Sequence, residues 1–290
     1  MYYSKEKTMK EDLFTMKMLL KDGKKKVVTL SYDDAMVQDK RLVQILDQHG
    51  LKCTFNINSG LYCQDAVDPE SGRLTKASTI ELFRNSGHEV AIHGYTHPIL
   101  EKLSTVEMIH EITEDRKSIE ADFGVIARGM AYPFGAYNDE VLDVLAKCHI
   151  AYARTANSTR YYNLPNNWLT LHPTCHHNQP NLMELAKNFI EQKFRTPMMF
   201  YLWGHSYEFD HANNWNVIEE FAEYMGGRDD IWYATNIEIY DYVTAYKRLE
   251  TSYDLRFVHN PSAIDVWFET GNIFETSEAY CVKAGETIIL

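Results

Sequence analysis

The stretch Val27-Val28-Thr29-Leu30-Ser31-Tyr32-Asp33-Asp34 decides the fold. A short run of β-branched and aromatic residues ends abruptly in two acids. That is the pattern of a buried strand whose end opens onto a polar loop. The same kind of run recurs along the chain: CTFNIN (53–58), EVAIH (89–93), GMAYP (129–133), HIAYART (149–155), WLTLHPT (168–174), MMFYLWGH (198–205) and IWYATN (231–236). Gly, Pro, Asn or Asp bounds each one.

The intervening segments carry helix signals. Ser78 with Glu81, and Ser104 with Glu107, have the spacing of capping boxes, and Gly87 and Gly124 follow at the expected stops. Asn138 is placed to cap DEVLDVLAK, and Gly50 closes KRLVQILDQHG. Strand and helix alternating in this way predict a parallel sheet of seven or eight strands. Closure into a TIM-barrel-like (β/α) barrel is the economical form, with a doubly wound open sheet as the alternative. Asp22-Gly23, between apolar runs in residues 12–32, predicts a hairpin turn. Residues 251–290 read as a small β-rich C-terminal appendage to a barrel of residues 1–250, with Trp267 and Phe268 as core residues.

Composition narrows the function classes. The 290 residues carry a formal net charge of -12, and the only basic run is Lys24-Lys25-Lys26. Nucleic acid is therefore not an expected partner. No apolar segment is long enough to span a membrane. The N-terminus lacks the apolar region and cleavage site of a signal peptide. Five scattered cysteines form no CxxC pair, and cytoplasmic residence is expected.

In parallel α/β barrels reactive groups collect where strands end. Asp33 and Asp34 follow the first strand, and His93 ends the third with His97 in its loop. Arg154 ends the fifth, His172, His176 and His177 end or follow the sixth, and His205 ends the seventh. Adjacent acids leaving a strand diverge, so one can ligate a metal while the other faces a water. Gly94 and Pro98 make His93–His97 a tight loop rather than a helix. Two neutral imidazoles with one carboxylate form a common hydrolytic zinc set. His205 is a candidate general acid.

Together these residues resemble the polysaccharide deacetylases, the NodB-homology or carbohydrate esterase family four group. The first motif of that family is matched by Thr29-Leu30-Ser31-Tyr32-Asp33-Asp34-Ala35, the second by His93-Gly94-Tyr95-Thr96-His97-Pro98, and the third by Ala131-Tyr132-Pro133-Phe134-Gly135. The last is matched by Leu202 to His205. The resemblance implies a distorted (β/α) barrel and a metal-dependent hydrolase that removes N- or O-acetyl groups from a carbohydrate. It implies a divalent metal on Asp34, His93 and His97, zinc first, with cobalt and nickel as alternatives. Asp33 is then the general base and His205 the acid. A backbone N–H near Phe134 receives the oxyanion, with Tyr132, Arg154 and Trp203 as further candidates at the substrate. The third-motif arginine aligns with Ala131, which leaves Arg128 and Arg154 as replacements, and the fourth motif has no clear counterpart. A hydrolase of a small linear or cyclic amide, a non-catalytic carbohydrate-binding relative, and a homo-oligomer stay open.

Overall fold

A computed structural model describes residues 15–63, 72–193, 195–271 and 278–290. The opening residues, read above against a signal peptide, lie outside them. The chain forms two compact units, one of residues 25–243 and one of the described residues up to Lys24 with 244–290.

In the second unit, β1 (Thr15–Met18) belongs to the sequence's start but pairs with a strand near its end. Among the described residues the larger unit holds eight strands: β2 (Lys26–Asp33), β3 (Cys53–Ile57), β4 (Glu89–Ile92), β5 (Gly129–Ala131), β6 (Tyr152–Arg154), β7 (Cys175–His176), β8 (Met198–Gly204) and β9 (Ile231–Tyr233). They run in the order β6-β5-β4-β3-β2-β8-β7, with β9 also paired to β2, and all pairings are parallel. The sheet curls into a distorted (β/α) barrel. One edge of β2 is shared: β9 takes Lys26–Val28 and β3 takes Leu30–Asp33. Between β6 and β7 the ring continues through a single bridge, Arg154 to Leu171.

The sequence alternation explains this wall. Val28, Leu30 and Tyr32 enter the apolar core, as do Cys53, Phe55 and Ile57 on β3. The alternate residues Thr29, Ser31 and Asp33, and Thr54 and Asn56, are buried and polar. Successive strand residues face opposite sides, so one face packs on helices while the other lines the barrel with hydrogen-bonding groups. Ser31 and Asp33 both accept from Asn56 Nδ2, at 3.2 and 2.8 Å.

Among the described residues eight α-helices accompany these strands: α1 (Asp39–Gln48), α2 (Lys76–Phe83), α3 (Thr105–Phe123), α4 (Asp139–Lys147), α5 (Leu182–Glu191), α6 (Tyr207–His211), α7 (Asn216–Met225) and α8 (Asn236–Lys247), the last running past the division between units. The Ser104–Glu107 capping box starts α3, and Gly124, at φ 70°, stops it in the left-handed conformation. Asn138 caps α4 as expected. The Ser78–Glu81 box does not form: Thr75 is the N-cap of α2 and its side chain accepts from the Ser78 N–H. Helix α3 buries Met108, Ile112 and Ile119, together with the acids Glu111 and Asp115.

Two expectations are corrected. WLTLHPT is not a strand over its length. Asn167 caps a 3-10 turn over Trp168–Thr170, and the strand is displaced to Cys175–His176. Pro173 has no N–H for a ladder. No hairpin forms at Asp22-Gly23 either. Residues Lys21–Gly23 make a 3-10 turn, and β1 pairs with β12 rather than β2.

The smaller unit holds β10 (Glu250–Thr251), β11 (Phe257–His259), β12 (Val266–Gly271), β13 (Glu278–Val282) and β14 (Thr287–Ile289). They form two antiparallel three-stranded sheets, β1-β12-β13 and β10-β11-β14, over a small core of Val258, Phe268 and Val282. Phe268 is a core residue, as its pattern predicted.

Candidate metal and catalytic site

Asp33 is the last residue of β2, and Asp34 leaves the strand at φ 83°, followed by Ala35 at φ 54°. Positive φ is uncommon outside glycine and clusters where function demands a special geometry. His97 and Phe134 share it, each at φ 58°.

Asp34, His93 and His97 come together, and one ligand atom from each lies within 4.8 Å of the others. His93 Nδ1 lies 2.8 Å from the Ala131 carbonyl oxygen. A carbonyl only accepts, so the proton sits on Nδ1 and the Nε2 lone pair is free. Burial lowers the basicity of His93, and burial with the neighbouring His93 lowers His97 to about 4. Both rings are therefore neutral at pH 7, the form a cation requires. Helix α3 fixes their loop: Asp115 accepts from the His93 N–H at 2.9 Å, and Glu111 accepts from the N–H of Thr96 at 2.7 Å. The donor set fits a divalent cation.

Asp33 is 2% exposed. Its Oδ1 accepts from Asn56, and its Oδ2 pairs with the guanidinium of Arg154. Burial alone would raise the carboxyl. Arg154, helped by His93 and His205, overcomes that and holds it well below the usual carboxylate range. Arg154 itself lies 4.3 Å over the Trp203 ring. Arg128 points elsewhere and pairs with Asp241 at 2.6 Å. Of the two arginines, it is Arg154 that meets Asp33.

His205 Nε2 lies 3.8 Å from Asp33 Oδ2 and 3.9 Å from Asp34 Oδ2. Its Nδ1 lies 3.3 Å from Glu208 Oε1. Burial opposes the charged ring, but Glu208, Asp33 and Asp34 outweigh it and raise the His205 pKa. Glu208 also lies 3.2 Å from His176 Nε2 and 2.9 Å from His177 Nε2. His176, His205 and Glu208 have the spacing of a second ligand group. However, His176 Nδ1 accepts the Asn178 N–H at 3.1 Å, so in the neutral ring the proton sits on Nε2. That nitrogen is a donor toward Glu208, and the group is a hydrogen-bonded cluster.

The other expected residues divide. Phe134 is exposed on its turn, with its ring 4.6 Å from His97. Tyr132 is buried and donates its hydroxyl to the Leu169 carbonyl, stacked on Tyr137, so its side chain serves packing. Trp203 packs between Arg154 and His176. Sequence reading passed over Asn56, Asn58, Arg73, Glu111, Asp115 and Glu208. The alternation Thr54, Asn56, Asn58 was visible as a polar face of β3, and Glu208 stands one helical turn after His205. Arg73 had no local signal.

Comparison with known proteins bears on the family and the fold. Residues 20–153 match the family described as polysaccharide deacetylase. Over 108 residues the chain is 28% identical to the uncharacterized protein YlxY of Bacillus subtilis (strain 168), covering 37% of this chain and 30% of that one. Over 140 residues it is 26% identical to the peptidoglycan-N-acetylglucosamine deacetylase PgdA of Listeria monocytogenes, covering 48% of this chain and 28% of that one. The match thus spans less than a third of either relative. The fold is shared with a putative polysaccharide deacetylase from Mycobacterium smegmatis, at TM-score 0.57 and 18% identity over 80% of this chain and 95% of that one. With the first three motifs inside the matched residues 20–153, that stretch of the chain carries a domain of the polysaccharide deacetylase family.

Proposed function

We propose that this domain is a metal-dependent deacetylase that hydrolyses the N-acetyl group of an amino sugar in a saccharide. The observation that supports it best is the convergence on one rim of an ionised Asp33, a donor-bearing His205 and the neutral imidazoles of His93 and His97 beside Asp34. Asp34, His93 and His97 hold the cation, zinc in the first instance. When bound, it supplies Lewis acidity toward the acetyl carbonyl and lowers the pKa of a coordinated water.

The chain's own groups account for the proton movements. Asn56 and Arg154 fix both oxygens of Asp33, so the carboxylate is oriented and ionised. It takes the proton of the water that attacks the acetyl carbon. The oxyanion that develops is assigned to the backbone N–H at Phe134. His205, with Nδ1 turned to Glu208, presents Nε2 to the site and protonates the amine nitrogen as the C–N bond breaks. Acetate and a free amino group result. A binding module has no need of a base, an acid and a ligand set together.

The test is acetate release from acetylated chito-oligosaccharides, run beside a panel of small linear and cyclic amides. Chelation should abolish release and added zinc or cobalt restore it. Asp33→Asn should retain the metal and lose turnover by ~10²-fold or more. Saccharide binding without acetate release, or release that survives chelation, would refute the proposal.

A further inference from the structure

One guanidinium at the rim is used by no step above. Arg73 Nη1 donates to the Asp34 carbonyl oxygen at 2.7 Å, and its Nη2 donates to Asp34 Oδ1 at 3.1 Å. It therefore grips the backbone and the carboxylate of the same left-handed residue. Nη1 also donates to Asn58 Oδ1 at 3.1 Å. Asn58 is buried, and its Nδ2 donates to the carbonyls of His93 at 2.6 Å and Gly94 at 2.9 Å. A continuous chain of bonds thus joins the Asp34 turn to the His93–His97 loop, without using the ligand atoms themselves.

We infer that Arg73 and Asn58 are positioning residues, a clamp that sets the spacing of Asp34 and the two histidines before a cation arrives. This rests on the metal reading above. Three features carry it. Asp34 holds φ 83°, a conformation that a non-glycine residue keeps only when its surroundings enforce it. Arg73 occupies Oδ1, while Oδ2 faces His205 at 3.9 Å, so the oxygen on the site side is left for a ligand. The planar fork of arginine spans a carbonyl and a carboxylate at once, and a lysine carries its donors on a single nitrogen in place of that fork. Partners behind the ligands typically set metal affinity by ~10–100-fold.

The opposite expectation is also physical. A positive charge beside Asp34 competes with a cation, and its removal would then tighten binding. Two substitutions separate these effects: Arg73→Gln removes charge and fork, and Arg73→Lys keeps the charge and loses the fork. The experiment is calorimetric titration of the metal-stripped full chain with zinc, repeated with cobalt to record its visible absorption band. Thermal melts of the metal-free variants check folding. Both variants should bind one ion ~10–100-fold more weakly than the parent, with a changed cobalt band. Unchanged affinity in Arg73→Lys, or tighter binding in Arg73→Gln, overturns the clamp. His97→Ala guards the premise: if it binds zinc as tightly as the parent chain, the ligand assignment fails, whatever the Arg73 variants do.

Discussion

At the scale of single residues, Asp33 depends on a partner that lies one strand away from the motif position. Arg154 is 1% exposed and Asp33 2%. Removing one member of such a pair strands the other charge without water. Arg154→Met is therefore expected to cost about 3–5 kcal/mol in urea denaturation. Arg128→Met, which breaks a partly exposed pair with Asp241, should cost no more than ~1 kcal/mol. Equal costs would mean that Arg154 does not hold Asp33. Glu208 makes a second test. Its carboxylate favours the charged ring of His205, with one proton on Nδ1 toward Glu208 and the other on Nε2 toward the site, and a neutral glutamine gives the charged ring no such support. Glu208→Gln should lower kcat by ~10²-fold or more at similar KM, the scale of lost acid catalysis. Unchanged kcat would remove Glu208 from the proton path. The departure from the family's third motif was legible as an absence of arginine at Ala131. Arg128 and Arg154 were legible as substitutes, but the choice between them was not, because Arg154 and Asp33 meet only once the barrel is folded.

At the scale of elements, strand ends and short loops place the ligands with Asp33, Arg154 and His205, helices α3 and α6 bring Glu111, Asp115 and Glu208, and close packing fixes them. Gly204 ends β8 where a Cβ would lie 2.0 Å from His177 Nδ1. The His177 ring is stacked between Tyr32 and Phe209, at 5.7 and 4.2 Å, and has nowhere to retreat. Gly204→Ala should cost about 1–3 kcal/mol by overpacking, read from the urea midpoint, and an unshifted midpoint would refute the contact. The strands and the parallel class were legible because apolar runs and polar stops coincide with strand ends. The caps at Ser104 and Asn138 were legible for the same local reason. What failed was set by distant partners. WLTLHPT has strand composition, but Leu171 is its one bridge to β6, and the ladder begins at Cys175. Asp22-Gly23 has hairpin chemistry, but the strand before it is claimed by β12.

At the scale of the whole molecule, the buried acids give stability a pH dependence. Asp39 is fully buried, and burial chiefly, with the nearby Asp34 and Asp33 charges, raises its pKa from 3.8 to about 7. Its folded pKa exceeds the unfolded one, so the native state holds the proton more tightly. That contribution is complete below about pH 4 and is lost as pH rises toward 7. Asp33 and Glu208 are depressed, and their contributions are lost in acid instead. Asp39→Asn should flatten the fall in stability between pH 4 and 7 by up to ~1.4 kcal/mol per pH unit, measured by denaturation at each pH. An unaltered slope would show that Asp39 is ionised when folded. The shared edge of β2 has a further consequence, in synthesis. β2 leaves the ribosome well before its partners at Lys26–Val28, which are Met198–Phe200 and Ile231–Tyr233. Until those are translated, the nascent chain carries Val27 and Val28 on bare strand edges, the kind of surface that aggregates. Yield in the cell should therefore depend on chaperone supply more than the finished protein's stability would suggest.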